Sequence, residues 1–88
     1  MSAVKVYSTD YCPYCRAAEA LLKAKGVPFD LIDVSNDDVM RTKLIEWTGG
    51  RRTVPQIFVH DESIGGFTEL RALVSSGQFD EMLAGSAS

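Results

Sequence analysis

A helical segment between two strand-like segments constrains the fold of this chain most. Residues 3–7 carry the β-branched and aromatic side chains typical of a strand, and residues 29–34 form a second such segment. Between them, residues 13–25 are predicted as a helix, which opens with a proline and ends at Gly26. Because a whole helix separates the two strands, we expect them to pair in parallel through a right-handed crossover.

The rest of the chain continues to alternate between helix and strand. The remaining predicted elements are a helix capped by residues 35–38 and ended by 48–50, a buried strand over 56–60, a short returning strand over 63–65, a helix from 66 to about 76 and a final amphipathic segment after Gly77. With 88 residues, the chain predicts a single domain over 1–88, and residues from about 85 to 88 are expected to fray.

Composition and charge argue against several classes of protein. Residues 2–20 contain no long apolar run and carry several charges, which is unlike a signal peptide or a membrane span. The net charge is −3, whereas nucleic-acid-binding domains carry basic patches. The sequence therefore predicts a cytoplasmic protein with neither a nucleic acid nor a membrane as its partner.

The two cysteines lie at the junction of the first strand and the first helix, in the segment Cys12-Pro13-Tyr14-Cys15. There, unpaired backbone N–H groups and the positive end of the helix dipole favour thiolate over thiol at Cys12. The thiolate is the form that attacks disulfides. Cys15 lies one helical turn further along, close enough to form a disulfide with Cys12 and better placed to resolve a mixed disulfide than to begin one.

Two other interpretations of the cysteine pair are weaker. A structural zinc site needs four ligands, and the chain has only one histidine, His60, to add to the two cysteines. A structural disulfide across so short a loop would restrict the unfolded chain little, and nothing marks the chain as secreted. The sequence therefore predicts a redox-active dithiol and no bound metal.

Two later stretches offer a surface for a substrate. In Thr53-Val54-Pro55, the proline holds Val54 extended and cannot donate to a sheet, so the backbone of Val54 can face outward. Whether the Val54–Pro55 bond is cis, and whether the proline only begins a strand, stays open at this point. Further on, Gly65 and Gly66 allow a ligand to approach closely, and a helix beginning at Phe67 presents N–H groups to an anion such as a carboxylate.

Taken together, C-P-Y-C after the first strand, T-V-P before the third and I-G-G before the third helix resemble the dithiol glutaredoxins over nearly the whole chain. The resemblance implies an α/β, thioredoxin-like fold, with a four-stranded mixed sheet of order 2-1-3-4 flanked by helices. It also implies a glutathione-dependent thiol–disulfide oxidoreductase. Such an enzyme would act as a monomer on disulfide-bonded or glutathionylated proteins, with glutathione as co-substrate and no tightly bound cofactor.

The same resemblance implies a role for each site residue. Cys12 would be the nucleophile, Cys15 the resolving thiol and Pro55 the family's cis-proline. The implied contacts with glutathione are Tyr14 beside its sulfur, the Thr53-Val54 segment pairing with its cysteine through the Val54 backbone, Arg51 or Arg52 at its glycine carboxylate, and Gly66, Phe67 and Thr68 at its γ-glutamyl end.

Three positions depart from the family pattern. Thr9 stands where many relatives have a lysine, so Arg16 is the basic residue expected to compensate in part. Phe67 replaces a frequent cysteine, and Thr68 replaces a frequent aspartate or serine. Thr68 is interpreted either as a hydroxyl donor to the γ-glutamyl carboxylate or only as the N-cap of the third helix.

Two alternative functions stay open. In the first, Cys12 thiolates from two subunits and two glutathiones bridge a [2Fe–2S] cluster. In the second, the chain is a glutaredoxin-like redoxin that thioredoxin reductase reduces. Pro13 resembles the members that mainly do redox work, and the 66–68 segment with the arginine pair favours glutathione as the reductant.

Overall fold

The part of the chain that the structure describes, residues 3–10, 12–50 and 53–85 of a computed structural model, alternates strands and helices. The elements in chain order are β1 (Val4–Ser8), α1 (Pro13–Ala24), β2 (Phe29–Asp33), α2 (Asp38–Trp47), β3 (Gln56–Val59), β4 (Glu62–Gly65), α3 (Phe67–Ser76) and α4 (Gln78–Gly85). Every predicted helix and strand is present, with ends that differ by a few residues at most.

Helix α1 begins at the cysteines because Cys12 is its N-cap. The backbone of Cys12 is extended, with φ −99° and ψ 111°, and Pro13 takes the first helical position. The sulfur of Cys12 accepts the N–H of Cys15 at 3.2 Å, which is one of the first-turn donors that have no partner inside a helix. At the other end Gly26 has φ 69°, a left-handed conformation that suits glycine and ends the helix.

The four strands form one mixed sheet in the order β2-β1-β3-β4. Strand β1 pairs in parallel with β2 and antiparallel with β3, while β3 and β4 form an antiparallel hairpin. This order confirms the predicted sheet and the parallel pairing across α1. It also brings the segment after β1 and the segment before β3 to the same edge, because Tyr7 near the end of β1 lies opposite Gln56 at the start of β3.

Helices on both faces of the sheet bury two apolar clusters. The larger cluster lies between the sheet and helices α1, α3 and α4, and its buried members are Val4, Val6, Ala18, Leu22, Ile57, Val59, Leu70 and Phe79. The smaller cluster lies on the α2 face and has as its buried members Tyr7, Val34, Leu44 and Phe58. Helix α1, which carries both cysteines, is thus fixed to the sheet through buried side chains.

The ends of the chain bear on two predictions. Helix α4 includes Gly85, where the predicted frayed tail begins, while residues 86–88 lie outside the described residues. That residues 1–88 form one domain stays a prediction. Within the described ranges, none of the helices has both the length and the apolar character needed to cross a membrane.

The burial of Phe79 leads to a prediction about stability. Its ring is fully buried and attaches α4 to the larger cluster, so Phe79→Ala should lower the free energy of unfolding by about 3–5 kcal/mol. As a control, Val39→Ala on the exposed side of α2 should change it by about 0.5 kcal/mol or less. Urea denaturation of both variants measures the difference. A loss at Phe79 no larger than the loss at Val39 would contradict the placement of α4 on the core.

Candidate active site

The two sulfurs lie at the N-terminus of α1 in different surroundings. Both cysteines are free thiols. Cys12 keeps 9% of its surface exposed, whereas Cys15 has none. Because a disulfide must be approached from solvent, only Cys12 can make the first contact with a substrate.

Burial and the neighbouring sulfur keep Cys15 protonated. The pKa of Cys15 is raised from an ordinary value of 9.0 to about 12, first because burial disfavours the thiolate and then because of the hydrogen bond and the negative charge of Cys12. A backbone hydrogen bond with Thr9 and the positive charge of Arg16 lower this pKa without offsetting the increase. Cys15 is therefore a thiol near neutral pH.

Thr9 and Arg16 flank the cysteines, at the positions where the resemblance predicts a missing lysine and a partial compensation for it. The guanidinium of Arg16 lies 2.7 Å from the carboxylate of Glu19 and donates to the carbonyl of Asp10 at 3.1 Å. Thr9 is buried, and its hydroxyl has no hydrogen-bond partner among the described residues. Because Glu19 offsets much of the charge of Arg16, the expected compensation for the missing lysine stays a prediction.

The backbone of Val54 lies beside the reactive sulfur. The Val54–Pro55 peptide bond is cis, which settles the alternative that the sequence leaves open. The thiol of Cys12 lies 3.6 Å from the carbonyl oxygen of Val54. Since the paired part of β3 begins at Gln56, Val54 itself lies outside the ladder between β1 and β3.

The N-terminus of α3 lies against the same segment. Gly66 is the N-cap of α3, and its N–H donates to the carboxylate of Glu69 at 2.6 Å. A Cβ atom on residue 66 would lie 3.2 Å from the carbonyl oxygen of Pro55, so a larger residue here would require that carbonyl to shift by a few tenths of an ångström. Thr68 is exposed at the second position of the helix. The interpretation of Thr68 as the N-cap is therefore wrong, because the N-cap is Gly66 and the helix begins two residues earlier than that role requires.

A groove of about 230 Å³ brings the predicted binding residues together. Its lining residues are Tyr14, Thr53, Val54, Pro55, Gly66, Phe67, Thr68 and Glu69. All the predicted contacts that fall within the described residues lie in this groove, while Arg51 and Arg52 lie outside the described residues. Glu69 was missed by the sequence reasoning, although its position three residues after Gly66 is the spacing of a capping glutamate.

A second, larger groove lacks the chemistry of a redox site. It has a volume of about 400 Å³ and is lined by Lys5, Tyr7, Trp47, Phe58, Asp61 and Ser63. These residues include neither cysteine and none of the predicted binding residues. In the described part of the chain, no group of three or more histidine, cysteine or acidic residues could hold a metal ion.

Known proteins similar to this chain identify its family. A family model for glutaredoxin matches residues 4–64. The chain is 46% identical over 81 residues to a probable glutaredoxin of Synechocystis, an alignment that covers 92% of this chain and 74% of the relative. It is 41% identical over 83 residues to glutaredoxin 3 of Escherichia coli K12, with 94% and 99% covered. The chain belongs to the glutaredoxin family. It is a thiol–disulfide oxidoreductase, as the cysteine pair predicts.

Solved structures of glutaredoxins have the same fold. The crystal structure of a buckwheat glutaredoxin–glutathione complex matches with a TM-score of 0.87 and 29% identity, covering 94% of this chain and 77% of that one. The solution structure of a glutaredoxin from Brucella melitensis matches with a TM-score of 0.81 and 41% identity, covering 94% and 89%. The predicted thioredoxin-like fold is confirmed. Membership of the family does not favour the cluster-binding alternative.

The raised pKa of Cys15 predicts how stability depends on pH. Below about pH 9 both folded and unfolded chains keep this proton, so its contribution to stability is complete. Between about pH 9 and 12 the unfolded chain loses the proton while the folded chain keeps it. Over that window, the free energy of unfolding should therefore fall with a slope steeper by up to about 1.4 kcal/mol per pH unit than in Cys15→Ser.

Urea denaturation of the reduced wild type and of Cys15→Ser, at several pH values between 8 and about 10.5, tests this prediction. All other side chains are common to the two proteins, so the difference between the two curves isolates the substitution at Cys15. Parallel curves would contradict the protonated, buried thiol.

Proposed function

We propose that the protein reduces glutathione mixed disulfides and protein disulfides, with Cys12 as nucleophile and glutathione as the reductant. The observation that carries the proposal is the position of the Cys12 sulfur, 3.6 Å from the carbonyl of Val54, which itself lines the 230 Å³ groove. A substrate cysteine paired with the Val54 backbone would have its sulfur next to that of Cys12. The likeness to a glutaredoxin solved with glutathione supports this choice of ligand.

The first route uses Cys12 alone. Its thiolate attacks the glutathione sulfur of a mixed disulfide, a new S–S bond forms, and the substrate sulfur leaves with the electron pair of the old bond and takes up a proton. The thiolate of a second glutathione then attacks the glutathione sulfur now bound to Cys12. This step releases glutathione disulfide and returns Cys12 as a thiolate.

The second route adds Cys15 and begins with a protein disulfide. Attack by Cys12 leaves a mixed disulfide with the client, and Cys15 must lose its proton to expel that client. Once the Cys12 sulfur is in a disulfide, its negative charge is gone, and its hydrogen bond no longer favours the protonated form of Cys15; both had raised the pKa of Cys15. Formation of the mixed disulfide therefore removes the two contributions of Cys12 to the raised pKa of Cys15, while burial, the largest cause, remains. Two glutathiones then reduce the resulting Cys12–Cys15 disulfide.

The groove offers contacts to each part of glutathione. The Val54 backbone pairs with its cysteine, and the exposed ring of Tyr14 lies beside the sulfur. At the γ-glutamyl end, the first-turn N–H groups of α3 and the Thr68 hydroxyl receive the carboxylate, with Gly66 and Phe67 completing the wall. Arg51 or Arg52 is proposed to meet the glycine carboxylate.

The protein is further proposed to work as a cytoplasmic monomer on disulfide-bonded or glutathionylated proteins, without a tightly bound cofactor. A dithiol that donates electrons needs a compartment in which thiols stay reduced, which supports the cytoplasm. Both cysteines and the groove belong to one chain, so no second subunit is needed to complete the site.

Substituting each cysteine tests the two routes. Cys12→Ser should abolish exchange, because Cys15 is buried and protonated. Cys15→Ser should still remove glutathione from a glutathionylated peptide but should fail on protein disulfides that need the dithiol route. The assay couples glutathione disulfide formation to glutathione reductase. Equal losses in both variants on the glutathionylated peptide would refute the division of roles.

The Thr68 hydroxyl gives a second test. Because Thr68 is exposed and does not cap α3, Thr68→Val should leave the melting temperature nearly unchanged. Loss of one hydrogen bond should raise the apparent KM for glutathione roughly two- to tenfold. Ser75→Ala, at an exposed site near the other end of α3, is the control and should change neither quantity. An unchanged KM in the valine variant would show that the carboxylate binds without the hydroxyl.

A further inference from the structure

Gln56 is a buried polar residue that reaches back across Pro55. Only 1% of its surface is exposed. Its side-chain nitrogen donates to the carbonyl of Thr53 at 2.6 Å and lies 3.4 Å from the Thr53 hydroxyl. Its side-chain oxygen finds no hydrogen-bond partner among the described residues. Since an unpaired buried polar atom is costly, a buried glutamine at this position requires an explanation beyond filling space.

The bond ties Thr53 to a rigid part of the sheet. The backbone of Gln56 belongs to β3 and lies opposite Tyr7 of β1. Pro55 has no N–H, so the sheet cannot hold the preceding segment through a backbone bond at that residue. The side chain of Gln56 supplies that attachment instead. It holds the carbonyl of Thr53, three residues earlier in the chain.

The held carbonyl fixes the direction of a neighbouring N–H. The carbonyl of Thr53 and the N–H of Val54 belong to one planar peptide unit, in which the two groups of a trans bond point in opposite directions. Among the described peptide bonds, Val54–Pro55 is the one that is cis, so the Thr53–Val54 unit is trans. With its carbonyl held by the buried amide of Gln56, this unit directs the Val54 N–H away from the core.

We propose that Gln56 is a positioning residue for substrate, whose amide turns the Val54 N–H toward the cysteine-containing peptide that binds in the groove. Val54 lines that groove, and hydrogen bonding at the Thr53 carbonyl also makes the N–H of the same peptide unit a stronger donor. This inference rests on the proposed function, in which the Val54 backbone pairs with glutathione.

Two substitutions at Gln56 test the proposal, each with a matched control at Gln78, the exposed glutamine of α4. Gln56→Met keeps the length of the side chain and removes both the donor and the unpaired oxygen. It should raise the KM for a glutathionylated peptide roughly three- to tenfold, with a smaller change in kcat and no loss of melting temperature. Gln78→Met should leave all three quantities unchanged.

Gln56→Glu keeps the shape of the side chain and makes its donor depend on pH. A protonated carboxyl group can still donate to the Thr53 carbonyl, whereas a carboxylate repels it. The ratio of the KM of this variant to that of the wild type should therefore stay near one at low pH and grow as pH rises. As the matched control, Gln78→Glu should give a flat ratio.

The possible results distinguish failure of the inference about Gln56 from failure of the proposed function. A wild type that turns over the glutathionylated peptide, with KM unchanged in both Gln56 variants, would overturn the inference alone. A fall in melting temperature and kcat at constant KM would also overturn it, because Gln56 would then serve only the fold. A wild type with no turnover would overturn the proposed function and the inference together.

Discussion

The hydrogen bond from the backbone N–H of Cys15 to the sulfur of Cys12 joins the chemistry of this protein to its fold. At 3.2 Å, the sulfur has the place that a serine or aspartate oxygen takes at other helix N-termini. A charged acceptor makes such a bond stronger, so the contact that caps α1 also receives the charge that forms when Cys12 loses its proton. Because Ala18 and Leu22 of α1 are buried in the larger cluster, that sulfur is held in place relative to the sheet.

The sheet determines which segments of the chain lie next to the Cys12 sulfur. Antiparallel pairing of β1 and β3 sets Tyr7 opposite Gln56, so the segment after one strand and the segment before the other share an edge. The hairpin returns the chain to the same edge, where a Cβ atom at residue 66, the N-cap of α3, would lie only 3.2 Å from the Pro55 carbonyl oxygen. The Cys12 sulfur, the cis-proline segment and a helix N-terminus therefore meet although they are far apart in sequence.

The sequence predicts the parts of this arrangement that depend on local signals. Pro13 and Gly26 mark the ends of α1, and the cysteine spacing marks the reactive turn. The cis state of the Val54–Pro55 bond is not a local property, because the two isomers differ by only about 0.5–1 kcal/mol and tertiary contacts decide between them. Gln56 also escapes sequence reasoning, since an amide at the edge of an apolar run has no local signal for a bond that reaches back across a proline.

On the proposed function, main-chain recognition would let one groove serve both glutathione and protein clients. On the proposed function, substrates are held by the Val54 backbone and by the first-turn N–H groups of α3, which any cysteine-containing peptide can pair with. Such contacts give little discrimination among side chains. Discrimination must then come from the rim, where the rings of Tyr14 and Phe67 lie 6.3 Å apart and line the groove. Phe67 thus gives the rim a second aromatic surface beside Tyr14, and on the proposed function such a rim would favour disulfides flanked by apolar residues.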